Sequence, residues 1–379
     1  MSIAVIKHTR PPNWSENATA WARNFAANAA EADAEDRFVA ANFAALKADG
    51  AFAAGVPASL GGGGASIREL ADMLRILAHG CGSTALAFAM HTHPVATAAW
   101  RWTYDKAPVE PLLRRIATEH LQIASTGGSD WLMGSGRAEK VADGFLIHAH
   151  KSFVSGSPSA DLAMTSAVYD DPQAGPTVLH FAIPLKAPGV STVATWQAHG
   201  MRGTGSHDVI FDGVHIKDAA VSGRRPAGPW HRLFHIISMV AFPLIYSVYL
   251  GIAEAAREAA IQAAQKRRND PLAQRLAGEM ENALFAARTA HEALLACSDD
   301  KPGLENTNRV FQARAQVEKS ALAVLDRAVT LAGGGSYFRR SPLERLWRDI
   351  QAARFHPLQE NDQLLLAGQM ALGVPPKQV

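Results

Sequence analysis

Between about Leu121 and Arg225 the chain changes its hydrophobic period, and this switch limits the possible folds more than any other feature. Thr177–Pro184, Val190–Thr195 and His207–Ile216 are short runs that alternate or are rich in β-branched and aromatic residues. Proline and glycine pairs separate them, which is the pattern of half-buried strands joined by turns. On both sides the spacing is helical. Upstream, Val39, Phe43 and Leu46 share a helical face that stops at Gly50, and Ser66-x-x-Glu69 forms a capping box ahead of Leu70, Met73, Leu74 and Leu77. Ala85–Trp102 is apolar nearly all round, so it predicts a buried helix.

Downstream, Val248, Ile252, Ala255, Ala259 and Ala263 keep helical spacing, as do Leu276, Met280, Leu284 and Ala287. Val310, Ala313, Val317, Val324, Ala328 and Leu331 do the same and close at Gly333-Gly334-Gly335. Three long amphipathic segments plus a short one, Leu343–Ala353, pack naturally as a four-helix bundle. The chain therefore reads as α+β: a helical domain over 1–120, a β-barrel or sandwich domain over 121–228, and a four-helix-bundle domain over 229–379.

Composition excludes several functions. In 379 residues, 48% are hydrophobic and 19% charged, the balance of a globular protein rather than a disordered one. Net charge is +2 and the only tight basic triplet is Lys266-Arg267-Arg268, so neither nucleic acid nor a membrane surface is an expected partner. Cys81 and Cys297 make no disulfide framework or metal site. The opening residues MSIAVIKHTRPPNW lack the apolar core of a signal peptide, and no uncharged apolar run is expected to reach membrane-spanning length. A cytoplasmic location is the expectation. Gly61-Gly62-Gly63-Gly64 follows no strand and precedes no Gly-Lys-Ser/Thr, and no G-x-G-x-x-G follows a predicted strand; a phosphate loop and a nicotinamide site are both disfavoured.

The chemistry concentrates in Leu121–Gly156. A turn, Ser125-Thr126-Gly127-Gly128-Ser129-Asp130, precedes a strand-like run from Phe145 to Ser155 that ends at Gly156. Glycines let backbone N–H groups approach a ligand and hydroxyls add donors, which suits an anionic or carbonyl-rich cofactor. On the apolar Ala85–Trp102 segment, His91 and His93 lie two residues apart. They point to different faces and cannot form a helical metal pair; one of them can line a substrate cavity while the other is structural.

The turn and strand together resemble the flavin cradle of the acyl-CoA dehydrogenase superfamily, with its T-E-P-x-x-G-S-D-like turn and K-x-W-I-T-N-G-like strand. Gly55-Val56-Pro57 to Gly64 resembles that family's V-P-x-x-x-G-G loop, and His199–Ser206 its G-x-R-x-S-x-T loop, in which Arg202 holds the loop by hydrogen bonds to carbonyls. The resemblance spans residues 30–373. It implies FAD or FMN between the β domain and the bundle, in a site completed by a neighbouring subunit of a homotetramer or dimer. By the same resemblance Gly128 and Ser129 meet the flavin pyrophosphate. Phe153 packs near the isoalloxazine and the Ser155 hydroxyl approaches N5. Arg267 reaches a neighbour's pyrophosphate, with Arg268 as an alternative, and Gly334 lies against the adenosine half. The turn is one residue shorter than T-E-P, so whether Ser125 or Thr126 meets the pyrimidine edge stays open.

The catalytic position departs from the family. Its glutamate base follows an Arg-Asp anchor by eight residues, but eight past Asp349 stands Pro357, preceded by His356. The second position that some members use falls on Ala241 and Phe242, and Glu360 lies three residues beyond the first. Flavin monooxygenases of the same fold also lack the glutamate and place a histidine near flavin C4a. His356 is thus the expected general acid or base, titrating near neutrality, with His91 or His93 opposite it. The resemblance implies oxidation of an acyl-CoA or related small substrate by hydride transfer to N5, with an electron-transfer flavoprotein as a partner. The alternative is a reduced-flavin monooxygenase that uses a C4a-peroxyflavin and a flavin reductase; a third reading is a non-catalytic flavin- or acyl-binding member.

Overall fold

The computed structural model describes residues 13–128 and 131–376. Five helices come first: α1 (Trp14–Ala34), α2 (Ala40–Ala48), α3 (Ile67–Gly80), α4 (Gly82–Asp105) and α5 (Glu110–Glu119). The expected capping box starts α3, with the Glu69 carboxylate accepting from Ser66 N–H at 2.8 Å and the Ser66 hydroxyl accepting from Glu69 N–H at 3.3 Å. A Cβ at Gly80 would overlap the Ala22 carbonyl, so its glycine lets α3 lie directly on α1.

Eight strands follow: β1 (Ile123–Ser125), β2 (Arg137–Val141), β3 (Gly144–Val154), β4 (Leu162–Asp171), β5 (Gly175–Pro184), β6 (Val190–Val193), β7 (His207–Lys217) and β8 (Val221–Pro226). They form one sheet in the order β6-β7-β3-β2-β4-β5-β8, with β1 parallel to β4 at Ile123↔Leu162. Phe145, Ile147, Leu179, Phe181, Val209 and Phe211 from both halves of that sheet share one apolar cluster. The β3–β7 register shifts between Lys151 and Val154. Such a bulge re-aims a side chain, and here it turns Phe153 outward at φ +58°.

Helices return as α6 (Arg232–Ala264), α7 (Pro271–Cys297), α8 (Leu304–Ala332), α9 (Pro342–Ile350) and α10 (Glu360–Ala371). The three long ones pack together, α9 closes against α6 and α8, and α10 lies on α8. One expectation fails on α6. Leu233–Ala253 carries no Asp, Glu, Lys or Arg, and by length and composition that helix could cross a membrane. It is apolar all round because α3, α4, α7 and α8 surround it, and nearly all of its apolar stretch is buried in the protein. The charge that ends this apolar stretch, Glu254, is met by Arg75, His79 and Arg288. Burial alone would raise the Glu254 pKa, but these partners hold it at about 2.

One ionic anchor spans all three regions. Arg348 on α9 makes bidentate contacts with Asp33 (2.6 and 2.9 Å) and Glu344, and donates to the His199 carbonyl. Its neighbour Asp349 accepts from Met201 N–H at 2.5 Å. Arg202 in the same loop donates to the Ala198 and Asp33 carbonyls, as its sequence context implies.

Candidate active site

The end of β3 supplies the floor of the site. Phe153, a large aromatic ring 60% exposed at the end of a buried strand, meets only the edge of Trp196 at 6.2 Å among the described aromatic residues. Two residues on, the Ser155 hydroxyl lies 2.7 Å from that of Ser206, which lies 2.7 Å from Thr204 Oγ1; Thr204 in turn donates to the Met201 carbonyl at 2.9 Å. Ser155 is thereby linked to Asp349 through the backbone of one buried residue, Met201.

The Gly/Ser turn lies beside this floor. Gln122, just ahead of β1, donates to the Gly156 carbonyl at 3.1 Å and so joins β1 to the end of β3. Thr126 is fixed by its N–H to the Met164 carbonyl at 3.1 Å, and its hydroxyl donates to Thr165 at 2.8 Å. A Cβ at Gly128 would meet nothing within 4 Å, so open space faces the turn there. Ser129 lies outside the described residues. Just after the turn, Trp131 packs edge-on against Trp230, Phe234, Phe242 and Phe311 at 5.1–6.2 Å, which locks the turn onto α6 and α8. An exposed ring, open space at a glycine and nearby hydroxyls form a cradle that fits a flat, polar-edged ring system.

The two N-terminal histidines have separate fates. His91 is buried; its Nε2 donates to the Phe52 carbonyl at 2.8 Å and its Nδ1 accepts from Ile123 N–H at 3.0 Å. Burial lowers its pKa to about 4. With both nitrogens engaged on backbone, His91 has none left for a substrate, so the structure does not bring it into a catalytic position. His93 places Nε2 3.2 Å from the Ser125 hydroxyl, at the start of the turn. Its Nδ1 has no protein partner and is not enclosed among the described residues.

His356 completes the constellation. Its Nε2 lies 2.6 Å from the Tyr249 hydroxyl, while Nδ1 likewise has no protein partner and is not enclosed among the described residues. Arg314, fully buried on α8, donates to the Ala353 and His356 carbonyls at 3.2 and 3.0 Å, and Tyr246 donates to Ala353 at 2.7 Å. Burial, then the Arg314 charge, then nearby His93 lower the His356 pKa to about 3. The expectation of an imidazole titrating near neutrality is therefore corrected: loss of hydration beside a buried cation keeps it neutral. Burial pushes the Tyr249 phenol well above its ordinary value, so it remains an O–H donor. Glu360 points away, exposed and 3.3 Å from Lys319.

Arg267 and Gly334 meet elsewhere. The Arg267 guanidinium bonds the Leu331 carbonyl at the end of α8, next to the exposed Gly333–Tyr337 turn that holds Gly334. Sequence reasoning missed Tyr246, Tyr249, Arg314 and Trp131. A signal was present: Phe242, Tyr246 and Tyr249 share one face of α6 within a largely aliphatic stretch.

Three family models cover the chain: acyl-CoA dehydrogenase N-terminal domain at 14–107, middle domain at 124–214 and C-terminal domain at 244–360. The chain is 30% identical to the putative acyl-CoA dehydrogenase YdbM of Bacillus subtilis over 93% of its own length and 94% of the relative. It is also 30% identical to the amino sugar nitrososynthase RubN8 of Streptomyces rubradiris over 87% and 82%. The solved structure of KijD3 in complex with FMN and dTDP-3-amino-2,3,6-trideoxy-4-keto-3-methyl-D-glucose superposes with a TM-score of 0.88 at 27% identity, covering 98% of this chain and 97% of that one. The chain belongs to the acyl-CoA dehydrogenase family of flavin-dependent oxidoreductases.

Proposed function

We propose that this protein is a monooxygenase that uses reduced flavin, FMN or FAD, and molecular oxygen to oxidise a small organic substrate. The observation that carries this reading is the histidine pair. His93 lies close enough to His356 to disfavour its charge, and each keeps one ring nitrogen open while the other is held by a hydroxyl. No carboxylate of the catalytic segment accompanies them, since Glu360 is turned to Lys319. Removal of a proton from carbon needs a base, and a histidine held at about 3 is a poor one. A neutral imidazole does better as a hydrogen-bond donor to developing negative charge.

When bound, the flavin supplies two electrons, so that one oxygen atom enters the substrate and the other leaves as water. The remaining work falls to the chain. Phe153 offers the flat apolar surface, Thr126 and the open backbone at Gly128 meet the polar edge, and the Trp131 cluster keeps water from the α6 side. Tyr249, whose proton stays on oxygen, donates to His356 Nε2 and so leaves the imidazole proton on Nδ1, the open atom. Gly334 and Arg267, which meet at the end of α8, would contact the far end of an FAD bound to a neighbouring subunit. The relative KijD3 holds FMN.

The exposed Phe285, Leu364 and Leu365 on the C-terminal helices, with Tyr337 and Phe338 in the turn between α8 and α9, support a homotetramer, or at least a dimer, that covers them. A separate reductase would supply reduced flavin, and two free thiols are consistent with a cytoplasmic setting. A second reading, dehydrogenation of an acyl-CoA, is favoured by the 30% identity to YdbM. One comparison separates them. Reduced flavin, oxygen and a panel of amines, aromatic sulfur compounds and phenols should give substrate-dependent oxygen uptake. Anaerobic bleaching of oxidised flavin by an acyl-CoA, without such uptake, overturns the proposal in favour of dehydrogenation.

A further inference from the structure

One side of α4 carries polar groups with open bonding capacity at every fourth residue: His93, Thr97 and Arg101. His93 lies at the Ser125 turn with Nδ1 open. Thr97 is 7% exposed, and its Oγ1 is buried with no partner among the described residues. Thr92 and Thr103 of the same helix return their hydroxyls to the Phe88 and Ala99 carbonyls, whereas Thr97 does not. Such a buried hydroxyl is met by water or by a ligand. Arg101 is half-buried, and among the described residues its guanidinium makes no hydrogen bond, ion pair or ring contact. The carboxylate that acts on it, Asp105, is already taken by Arg232 at 2.5 Å. Basic groups gather around Arg101. Arg225 donates to His180 Nε2 at 3.1 Å, and both lie near Arg101 and His231. His231 accepts from Leu233 N–H on Nδ1 at 3.2 Å, which leaves its proton on Nε2. That Nε2 has no protein partner and is not enclosed among the described residues. Burial, then Arg225 and Arg101, hold the His231 pKa below its ordinary value, so the ring stays neutral.

We infer that Arg101, with the His231 Nε2–H near it, receives an oxyanion at the far end of the substrate, a carboxylate or a phosphate ester. The inference deepens the proposed function and rests on it for placing the reaction at His93 and His356. A guanidinium presents paired donors that match two oxygens of such a group, and the imidazole adds a third. Partial burial strengthens the attraction, because less water screens the charge. From His93 to Arg101 is eight helical residues, about 12 Å, so the substrate is elongated and carries its charge roughly that far from the atom oxidised. Thr97, midway along the helix, offers a hydroxyl to a polar atom between the two ends.

The test titrates the protein, with oxidised FMN in excess, against octanoate, octyl phosphate and 1-octanol, and follows the heat of binding. The three share one chain and differ only in the head group. At least one anion should bind about ten- to a hundredfold more tightly than the alcohol, the usual worth of a charge-assisted hydrogen bond. The tighter of the two anions names the head group. Arg101→Leu breaks no side-chain contact among the described residues, so the fold should hold, and the ratio should fall to within about threefold of unity. Arg101→Lys keeps the charge without the paired donors and should give an intermediate ratio. Equal binding of anions and alcohol by the unaltered protein overturns the inference alone, as does a preference that survives Arg101→Leu. Oxygen uptake with reduced flavin is read separately, with 8-aminooctanoate and octylamine. Uptake that ignores both the carboxylate and Arg101 again strikes only this inference. Arg101-dependent binding of the anions with no uptake from any compound supports the anion site and overturns the monooxygenase reading.

Discussion

The Tyr249 hydroxyl lies 2.6 Å from His356 Nε2, across 107 residues of sequence. The pair sets the tautomer of the imidazole, and Arg314 fixes the backbone beneath it through the Ala353 and His356 carbonyls. His356→Ala should therefore keep flavin and assembly yet lower turnover by about a hundredfold to ten-thousandfold, the usual worth of a positioned catalytic group. Tyr249→Phe conserves volume and removes one buried hydrogen bond, so turnover should fall by about tenfold. Steady-state rates at saturating reduced flavin read both effects; a His356→Ala enzyme with full turnover removes the imidazole from the mechanism.

Glu360 gives the opposite expectation. Its carboxylate is exposed and, among the described residues, paired only with Lys319 at 3.3 Å, a surface contact worth about 0–1 kcal/mol. Glu360→Gln should leave both turnover and the unfolding midpoint unchanged within error. A large loss of flavin reduction by an acyl-CoA in this variant would make Glu360 a displaced base and restore the dehydrogenase reading.

The fold was largely legible because its signals are local. The change of period near Leu121 marks where β strands begin, and Ser66 with Glu69 announces α3 by a pair three residues apart. The uniform apolarity of α6 had no such marker; it says that a helix is surrounded, but four neighbouring helices, not lipid, do the surrounding. The site was legible only in part. The i, i+2 spacing of His91 and His93 already sends them to different faces, yet which one meets backbone and which meets the turn depends on Phe52, Ile123 and Ser125. Ser155 and Ser206 are 51 residues apart, and their contact follows from the pairing of β3 with β7. No local pattern encodes such a meeting.

Acid should expose His91. In the folded protein burial lowers its pKa to about 4, against an ordinary value of 6.5. The unfolded chain therefore binds a proton below pH 6.5 that the folded chain refuses until about pH 4, and stability falls as pH falls through this window. The cost is about 1.4 kcal/mol per pH unit for this fully buried ring. Urea unfolding at pH 6.5 and 5.0 should differ by about 2 kcal/mol more in the natural protein than in His91→Gln. An equal pH dependence in the two would mean that the ring is not held neutral.

Two adjacent residues of α9 should behave in opposite ways. Arg348, with 10% of its side chain exposed, is the only partner of the Asp33 carboxylate among the described residues and also holds Glu344 and the His199 carbonyl. Arg348→Met strands two carboxylates, so it should cost about 3–5 kcal/mol. Asp349 is buried and serves as an acceptor for Met201 N–H. Burial raises its pKa to about 6, so the folded state prefers the protonated acid. The unfolded chain ionises from about pH 4, and stability therefore falls as pH rises from there to about 6. Asp349→Asn keeps the acceptor oxygen and removes the charge. At pH 7 it should be neutral or stabilising, and the slope between pH 4 and 6 should steepen because the opposing carboxylate contribution is gone and the acid sensitivity of the buried histidines is left uncompensated. Chemical denaturation of the two variants across that range measures both claims; a loss above about 2 kcal/mol for Asp349→Asn at pH 7 would show that the carboxylate charge itself is needed.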